Sequence, residues 1–311
     1  MCVPAASPQM TEHDAPPPDS GPTRAGIVTL VGRPNAGKST LLNRLVGQKL
    51  AITSPKPQST RNRVVGIHSA GGVQMVFFDT PGLLEPRYAL HSAMRATAHE
   101  ALRDADVIVY LADASEGPPP SLVQAAGLDH SPRAPQIVAL NKIDVATEVE
   151  RVRLRTECPG AEQISATTGE GVAVLVERVA TLLPNSAYLY PEDELSTQPV
   201  RFFVSELVRE TALEQLGDEV PYSLACEVEE FREAARPVYI RAVLYVERES
   251  QKGIVIGARG ARLREIGRAA RAKVEALVDA PVYLDLWVKV LPNWRRDERA
   301  LRRFGYLRAD R

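Results

Sequence analysis

A short motif near the start of the chain has the spacing of a phosphate-binding loop. The segment GRPNAGKS (Gly32–Ser39), the phosphate loop, fits the pattern G-x-x-x-x-G-K-[ST] between an apolar run and an amphipathic stretch. In such a loop, successive backbone N–H groups and the start of the following helix face an anion. We therefore expect Lys38 to reach β- and γ-phosphate oxygens, and the Ser39 hydroxyl to ligate Mg²⁺.

Two further segments supply groups for the same metal ion. The motif DTPG begins at Asp79, at the end of the apolar run VQMVFFD, so Asp79 is placed to hold Mg²⁺ through water. Gly82 can offer its backbone N–H to a γ-phosphate, because no Cβ blocks the approach. The segment SPKPQSTR (Ser54–Arg61), the Thr60 loop, adds a Thr60 hydroxyl that can close on Mg²⁺ and the γ-phosphate, with Ser59 as the alternative.

Base recognition is predicted where the apolar run QIVAL ends in NKID (Asn141–Asp144). The Asp144 carboxylate can accept hydrogen bonds from N1–H and the exocyclic amine of guanine. Adenine has neither donor, so it would leave that carboxylate desolvated and unpaired. The Lys142 stem can cover the base plane, and backbone N–H groups of ISA (Ile164–Ala166) can reach guanine O6. These motifs together predict a guanine nucleotide.

A fourth motif indicates a second ligand. Its four residues, the GxxG loop, are Gly257, Ala258, Arg259 and Gly260. Two glycines at a helix–helix junction let backbones approach closely, and such a loop clamps about four single-stranded nucleotides. Arg259, Arg262 and Arg264 can meet phosphates. Ile254 and Ile256 offer an apolar floor to the bases, so the segment is predicted to bind RNA.

Charge along the chain supports that interpretation. The 311 residues carry a net charge of −1, which gives no overall attraction to an acidic or basic partner. Residues 252–311, however, hold 15 Lys and Arg against 7 Asp and Glu, whereas residues 191–251 hold 6 against 14. A local cationic surface is therefore predicted near the C-terminus. Arginines that extend it are Arg295, Arg296, Arg299, Arg302 and Arg303; a merely solvated helix face is the alternative.

The elements that must position these groups form two units. Short apolar runs alternate with amphipathic stretches up to residue 184, which predicts an α/β domain with a mostly parallel sheet and ligands at the carboxyl ends of its strands. After it, the predicted order is α-β-β-α-α-β, a smaller α+β domain. The assigned ranges are a disordered Pro-rich tail (1–24), a first domain (25–184), a linker (185–200), a second domain (201–290) and a basic segment (291–311).

Composition excludes several other classes. Three scattered cysteines with no CxxC spacing argue against a disulfide framework or a structural zinc site, and favour a reducing compartment. No apolar run approaches the roughly 18 residues of a membrane span. The first residues lack a basic start followed by an apolar stretch, so we do not expect secretion.

The motifs in this order resemble the P-loop GTPases, and the second unit resembles a type II KH domain. A GTPase domain followed by a KH domain is the arrangement of the Era family, within the TrmE-Era-EngA type of GTPases. The resemblance spans about residues 25–308 and includes SPKPQSTR, FFDTPG, YPEDELS, VERESQKGIVIG and LDLWVKV. The departures are the Pro-rich tail, Ser59 where the family usually has Thr, and a Pro-rich loop at residues 117–120.

The resemblance implies Mg²⁺-dependent hydrolysis of GTP to GDP and phosphate. It also implies binding of the 3′ end of small-subunit 16S rRNA and assistance in 30S assembly. We expect a cytoplasmic monomer, and the family implies peripheral contact with the inner face of the cell membrane. The predicted nucleotide-binding residues are Gly32, Arg33, Pro34, Asn35, Ala36, Gly37, Lys38, Ser39, Thr40, Asp79, Thr80, Pro81, Gly82, Leu83, Asn141, Lys142, Ile143, Asp144, Ser165 and Ala166.

Two residues bear on how hydrolysis is catalysed. Leu83 occupies the position where many signalling GTPases have a water-orienting Gln, and an apolar side chain cannot orient water by hydrogen bonding. Catalysis must therefore use another device. Asn35 resembles the Asn of GTPases in which K⁺ neutralises transition-state charge near the phosphates; a turn residue is the alternative. The predicted catalytic residues are Asn35, Lys38, Thr60, Asp79 and Gly82, and the predicted metal ligands are Ser39, Thr60 and Asp79.

Three functions fit these patterns. The first is an RNA-binding switch, in which GTP orders the Thr60 loop and DTPG and hydrolysis releases them. The second is an RNA-binding scaffold with a structural nucleotide site. The third is a GTPase of the tRNA-modifying or iron-transport branches, which would need a one-carbon-chemistry domain or membrane spans that this sequence does not show.

Overall fold

The computed structural model describes residues 23–54, 56, 58–217 and 220–307. Most of the predicted Pro-rich tail, residues 1–22, therefore lies outside the described residues. In the first unit, the strands are β1 (Arg24–Gly32), β2 (Val64–Ala70), β3 (Val73–Asp79), β4 (Val107–Asp113), β5 (Gln136–Asn141) and β6 (Glu162–Gln163). Its helices are α1 (Lys38–Val46), α2 (Ala89–Asp104), α3 (Leu122–Ala126), α4 (Glu148–Glu157) and α5 (Val172–Leu182).

The strands form one sheet in the order β2-β3-β1-β4-β5-β6. Strand β2 pairs antiparallel with β3, and the other pairs are parallel, which confirms the predicted α/β fold. Strands β1 and β4 are almost wholly buried, as their continuous apolar sequences require when both faces are covered. Gly32, Asp79 and Asn141 end β1, β3 and β5, so the three nucleotide motifs meet at one edge of the sheet.

The second unit has the predicted α-β-β-α-α-β order. Its elements are α6 (Val200–Gln215), β7 (Ala225–Arg232), β8 (Val238–Val246), α7 (Glu249–Ile256), α8 (Ala261–Val278) and β9 (Val282–Val290), followed by α9 (Glu298–Arg303). The sheet order is β7-β8-β9, with β8 and β9 parallel. Residues Val220–Ser223, just before β7, form a short 3₁₀ turn.

Helix α6 lies between the two units. Phe203 near its start belongs to the core of the first unit, whereas Val208 and Ala212 pack with Ala242 and Ile266 in the core of the second. A helix buried on both sides carries few exposed residues, and most side chains from Phe203 to Leu213 are buried. The two units are therefore joined by a shared structural element.

Residues 185–200, whose composition predicts a linker, are instead packed on the first sheet. The Ile67 N–H donates to the Leu195 carbonyl at 2.8 Å, and Ser196 Oγ donates to the Val65 carbonyl at 2.5 Å. Gln74 Oε1 accepts the N–H of Tyr190 at 3.0 Å. Strand β2 is an edge strand with unpaired backbone groups, and this segment satisfies some of them.

The C-terminal segment is also part of the fold rather than a free basic extension. Trp294 is fully buried, and its indole N–H donates to the Ser223 carbonyl at 2.8 Å. Leu301 packs in the same cluster as Leu90 and Met94 of α2. Residues 308–311 lie outside the described part of the chain. Across the residues with assigned positions, none of the helices is both long and apolar enough to cross a bilayer.

Candidate nucleotide and RNA sites

The phosphate loop is held in shape by the residue that begins NKID. Asn141 Nδ2 donates to the Ala36 carbonyl at 2.8 Å. At Gly37, where φ is +95°, an added Cβ would lie 2.1 Å from Asn141 Nδ2. Only glycine tolerates both the left-handed backbone and this approach. The close packing of the Asn141 side chain against Ala36 and Gly37 therefore holds the loop in shape without a ligand.

Lys38 and Asp79 are buried charges at the floor of the loop. Lys38 Nζ donates to the carbonyls of Gly32 at 3.1 Å and Arg33 at 2.9 Å. Burial lowers the pKa of Lys38 to about 8, although the Asp79 carboxylate opposes the shift. Burial likewise raises the pKa of Asp79 to about 6, against the effects of Lys38 and Ser39. Burial therefore disfavours the charged forms of both side chains. A bound phosphate would stabilise the Lys38 cation, and a bound metal ion would stabilise the Asp79 carboxylate.

The three predicted metal ligands converge at one point. Ser39 Oγ lies 2.6 Å from Asp79 Oδ2 and 2.9 Å from Thr60 Oγ1. The other carboxylate oxygen, Asp79 Oδ1, is buried without a hydrogen-bond partner among the described residues. Hydroxyl and carboxylate oxygens with an unused buried lone pair match the oxygen ligands that Mg²⁺ prefers. The donor set therefore fits Mg²⁺.

A cleft of about 490 Å³ opens beside these groups. The residues that line it are Pro34, Asn35, Gly37, Lys38, Ser39, Thr40, Ile52, Thr53, Ser54, Gln58, Ser59, Thr60, Gly82 and Lys142. Asn35 is exposed and lines the cleft. Its backbone is in the left-handed region, with a φ of 65°, so Asn35 is also a turn residue. The Arg33 side chain points away from the cleft and pairs with Glu116 at 3.2 Å.

Lys142 lines the cleft and is oriented by a neighbour, whereas Asp144 is exposed and is not among the residues that line the cleft. Lys142 Nζ lies 2.6 Å from Asp113 Oδ2, and its backbone adopts a φ of 69°. Sequence reasoning did not find Asp113. The signal was present, because Asp113 ends β4, the strand between β1 and β5.

In this conformation, two parts of the predicted base site are engaged in contacts within the protein. The N–H groups of Ser165 and Ala166 are not directed at a base, because they donate to Glu170 O and Asn141 Oδ1, both at 2.8 Å. The Ile164 N–H is used by the Leu140 carbonyl at 2.9 Å. The Ile143 side chain is buried in a hydrophobic cluster and contributes to the core instead of the ligand site.

The DTPG region is also bound more tightly to the protein than expected. Leu83 is buried among Val31, Ala98 and other core residues, and its N–H donates to the Gly32 carbonyl at 2.9 Å. It therefore does not face the nucleotide. Pro81 is buried, and the Thr80 hydroxyl donates to the Leu30 carbonyl at 2.8 Å. Gly82 lines the cleft, but a Cβ there would meet the Pro34 backbone nitrogen at 2.6 Å, so the phosphate loop itself requires the glycine.

The GxxG loop turns between α7 and α8 as predicted. Gly257 has a φ of +69°, and an added Cβ would lie 2.7 Å from the Cβ of Arg262. Ala258 and Arg259 are exposed at its tip, with Arg259 in the left-handed region at a φ of 50°. Arg264 Nη1 donates to the Arg259 carbonyl at 2.9 Å, which stabilises the turn.

Positive charge at this loop is not neutralised by acidic residues in the described part of the chain. Arg259, Arg262 and Arg264 are exposed, and they form no ion pair with other described residues. Ile254 is 45% exposed beside them, whereas Ile256 packs partly into the core. The predicted apolar floor is therefore mainly Ile254.

The C-terminal arginines differ. Arg295 lies against Glu247, with Nε 3.0 Å from Oε2, and Arg303 Nη2 lies 2.7 Å from Glu227 Oε2. The guanidinium of Arg302 pairs with Glu298 at 3.3 Å. The expectation that the C-terminal arginines extend the cationic surface therefore does not hold for these three side chains, because acidic residues of the same domain neutralise them.

Comparison with known proteins identifies both units. A family described as 50S ribosome-binding GTPase matches residues 27–142, and the KH domain family matches residues 219–295. GTPase Era of Geobacter metallireducens is 43% identical over 293 residues, covering 92% of this chain and 98% of that protein. GTPase Era of Pseudomonas aeruginosa is 44% identical over 302 residues, covering 94% and 98%. The chain belongs to the GTPase Era family.

Solved structures agree with this assignment. A crystal structure of Era in complex with MgGDPNP and nucleotides 1506–1542 of 16S ribosomal RNA is 38% identical, has a TM-score of 0.84, and covers 91% of this chain and 99% of that chain. An Aquifex aeolicus Era variant bound to GDP·AlF₄⁻ gives a TM-score of 0.83 at the same identity and coverage. Like other Era proteins, this chain is a GTPase that uses GTP, GDP and Mg²⁺.

Proposed function

We propose that this Era-family GTPase is an RNA-binding switch. In this proposal its KH domain binds the 3′ end of 16S rRNA, and its GTPase cycle assists assembly of the 30S subunit. The observation that carries the RNA part is the exposed GxxG loop, where Arg259 and the neighbouring Arg262 and Arg264 of α8 have no acidic partner among the described residues. The Era complex with nucleotides 1506–1542 of 16S rRNA supports the choice of this RNA segment as the ligand.

For hydrolysis, we assign the protein groups as follows. Lys38 contacts the β- and γ-phosphates, and Ser39, Thr60 and Asp79 hold Mg²⁺, which neutralises phosphate charge when bound. Asp144 reads guanine, and the Lys142 stem covers the base while Asp113 orients its ammonium group. The convergence of Ser39, Asp79 and Thr60 within 3.5 Å supports the metal assignment.

Leu83 is buried, so water must be oriented by other groups. We assign charge neutralisation near the phosphates to K⁺ at Asn35, which faces the cleft from the phosphate loop. Replacing KCl by NaCl at equal ionic strength is expected to slow hydrolysis by the unaltered protein and to leave an Asn35→Ala variant unchanged. Equal rates of the unaltered protein in the two salts would remove K⁺ from the mechanism.

The switch is tested by crosslinking. Purified protein is irradiated with an oligoribonucleotide of the 16S rRNA 3′ end, and with a shuffled control, in the presence of GTP or GDP. We expect crosslinks near the GxxG loop that depend on sequence and change with the nucleotide. Equal crosslinking of the two RNAs would refute the assigned partner. Sequence-specific crosslinks that ignore the nucleotide would favour the scaffold alternative, as would a Lys38→Ala variant that loses GTP binding but still supports 30S maturation.

Cytoplasmic location and contact with the inner face of the cell membrane complete the proposal. The second of these rests on the family resemblance alone. Flotation of the purified protein with anionic vesicles tests it, and a protein that stays with the unbound fraction at low salt would exclude it.

A further inference from the structure

The Thr60 loop is held by a helix of the other domain. Arg209 of α6 is 1% exposed, and its Nη2 donates to the carbonyl of Ser59, the residue immediately before Thr60. The same guanidinium forms a two-point ion pair with Glu206, with Nε–Oε1 at 2.9 Å and Nη2–Oε2 at 2.6 Å. Glu206 thus fixes the direction in which Arg209 points.

Other contacts hold the loop on either side of this point. Lys56 Nζ donates to the carbonyls of Leu213 and Leu216 at the end of α6. Arg61 is buried and donates to carbonyls of the turn after α6, including Tyr222 at 3.1 Å and Leu224 at 2.5 Å. Between these bonds, Gln58 Oε1 lies 3.0 Å from His91 Nε2, and the Ser59 carbonyl is held by Arg209.

We propose that Arg209 of the KH domain is a positioning residue for GTP hydrolysis. By holding the Ser59 carbonyl, it keeps the Thr60 hydroxyl 2.9 Å from Ser39 Oγ, at the point where the metal ligands converge. The inference rests on the proposed metal role of Thr60. It goes beyond that role because it makes a residue of the RNA-binding domain part of the support of the catalytic site.

Arg209 acts by ordering the Thr60 loop. A loop residue held in one backbone conformation loses conformational entropy, which must be offset by contacts made in that conformation. A hydrogen bond from a buried guanidinium to a carbonyl is strong enough to do this, and its donor is already oriented by Glu206. A lysine ammonium carries all its donors on one nitrogen, so it cannot reproduce the planar arrangement in which Nε and Nη2 both contact Glu206 while Nη2 also reaches the Ser59 carbonyl.

The test compares Arg209→Lys, Glu206→Gln and Thr60→Ala in the full-length protein. Single-turnover GTP hydrolysis is measured against Mg²⁺ concentration, together with GDP affinity and thermal unfolding. For Arg209→Lys we expect the single-turnover rate constant to fall roughly tenfold and the half-saturating Mg²⁺ concentration to rise, with GDP affinity unchanged. Glu206→Gln removes the charge but keeps the Oε1 acceptor that orients Arg209 Nε, so it should lower the unfolding temperature and leave hydrolysis within about twofold.

Three other results would each overturn the positioning role of Arg209. Parental hydrolysis by Arg209→Lys, alongside a defective Thr60→Ala variant, would overturn this inference and leave the proposed metal site intact. A lower unfolding temperature of Arg209→Lys with unchanged Mg²⁺ dependence of hydrolysis would also overturn it, since Arg209 would then be merely structural. Parental Mg²⁺ dependence in Thr60→Ala would overturn the metal role of Thr60 itself, and the positioning role with it.

Discussion

The nucleotide cleft and the GxxG loop present their charged groups in opposite ways. In the cleft, Lys38 and Asp79 are buried and already hydrogen-bonded to the protein, so the site exists before its ligand arrives. At the GxxG loop, Arg259 and Arg262 are exposed and unpaired with acids of the described chain. Buried polar groups discriminate between ligands because a mismatch leaves them unsatisfied, whereas exposed cations supply affinity that salt weakens.

The same contrast exists within the KH domain. Arg262 has no acidic partner in the described structure, whereas Arg295 and Arg303 are neutralised by Glu247 and Glu227. The count of basic residues in the last sixty positions therefore overstates the cationic surface. The two groups of arginines differ in whether the fold brings an acidic residue, such as Glu227 or Glu247, next to them.

The largest effect is expected from removing the buried cation of the cleft. Lys38→Ala deletes a charged donor to two phosphates, so GTP affinity should fall by about 3 kcal/mol, or roughly a hundredfold. Titration with a fluorescent GTP analogue measures this. RNA affinity without nucleotide, measured by fluorescence anisotropy, should be unchanged in the same variant. A parallel loss of RNA binding would show that the two sites are not independent.

Reversing one charge at the GxxG loop should have the next largest effect. Asp tolerates the left-handed backbone of position 259, so Arg259→Asp changes charge without straining the turn. We expect RNA affinity to fall roughly tenfold, and the dependence of log affinity on log salt to become shallower by about 0.7 for one lost phosphate contact.

Arg296→Asp is the matched control for that variant, since it makes the same charge change at an exposed position of the C-terminal segment. Its RNA affinity should stay within about twofold of the parent, because phosphate contacts act locally. Equal losses in the two variants would mean that net charge alone, and not the loop, determines binding.

Base selectivity in the cleft gives a third, smaller effect. Asp144→Asn replaces the carboxylate proposed to accept two guanine donors, so the preference for GTP over ATP should fall by about 2 kcal/mol, or roughly thirtyfold. Asp144 is exposed, so the fold should tolerate the change. Competition between the two nucleotides measures it, with Glu148→Gln in the adjacent helix as the control. Selectivity retained by Asp144→Asn would place base recognition on other residues.

The sequence located the groups at strand ends better than the groups in loops. Motifs at strand ends specify the cleft, because the parallel sheet brings the residues that follow Gly32, Asp79 and Asn141 to one edge whatever the loops do. Local spacing could not show where free N–H groups remain. Those of Ser165 and Ala166 are used by Glu170 and Asn141 through loop closure.

Contacts distant in sequence were missed for the same reason. The ion pair of Lys142 with Asp113 joins residues on neighbouring strands, and the bond from Arg209 to Ser59 joins residues 150 positions apart. Neither pair has a periodic signal in the sequence. Residues 185–200 have the polar, Pro-containing composition of a linker, but composition does not reveal the unpaired edge of β2 on which they pack.

Neutralising a paired arginine should affect stability and spare RNA binding. Arg295 pairs with Glu247, whose side chain is only 11% exposed, and its guanidinium lies 5.1 Å from the Tyr88 ring centre, next to α2 of the GTPase domain. Arg295→Gln should therefore lower the free energy of unfolding by about 1–3 kcal/mol, since Glu247 is left without its cation. Arg302→Gln breaks an exposed pair with Glu298 within α9, and an exposed pair of this kind contributes less than about 1 kcal/mol. Urea unfolding measures both, and RNA affinity should stay within about twofold of the parent. If Arg295→Gln weakened RNA binding as much as Arg259→Asp, the paired arginines would have to release their carboxylates to reach RNA, and ion pairing in the free protein would no longer separate the two surfaces.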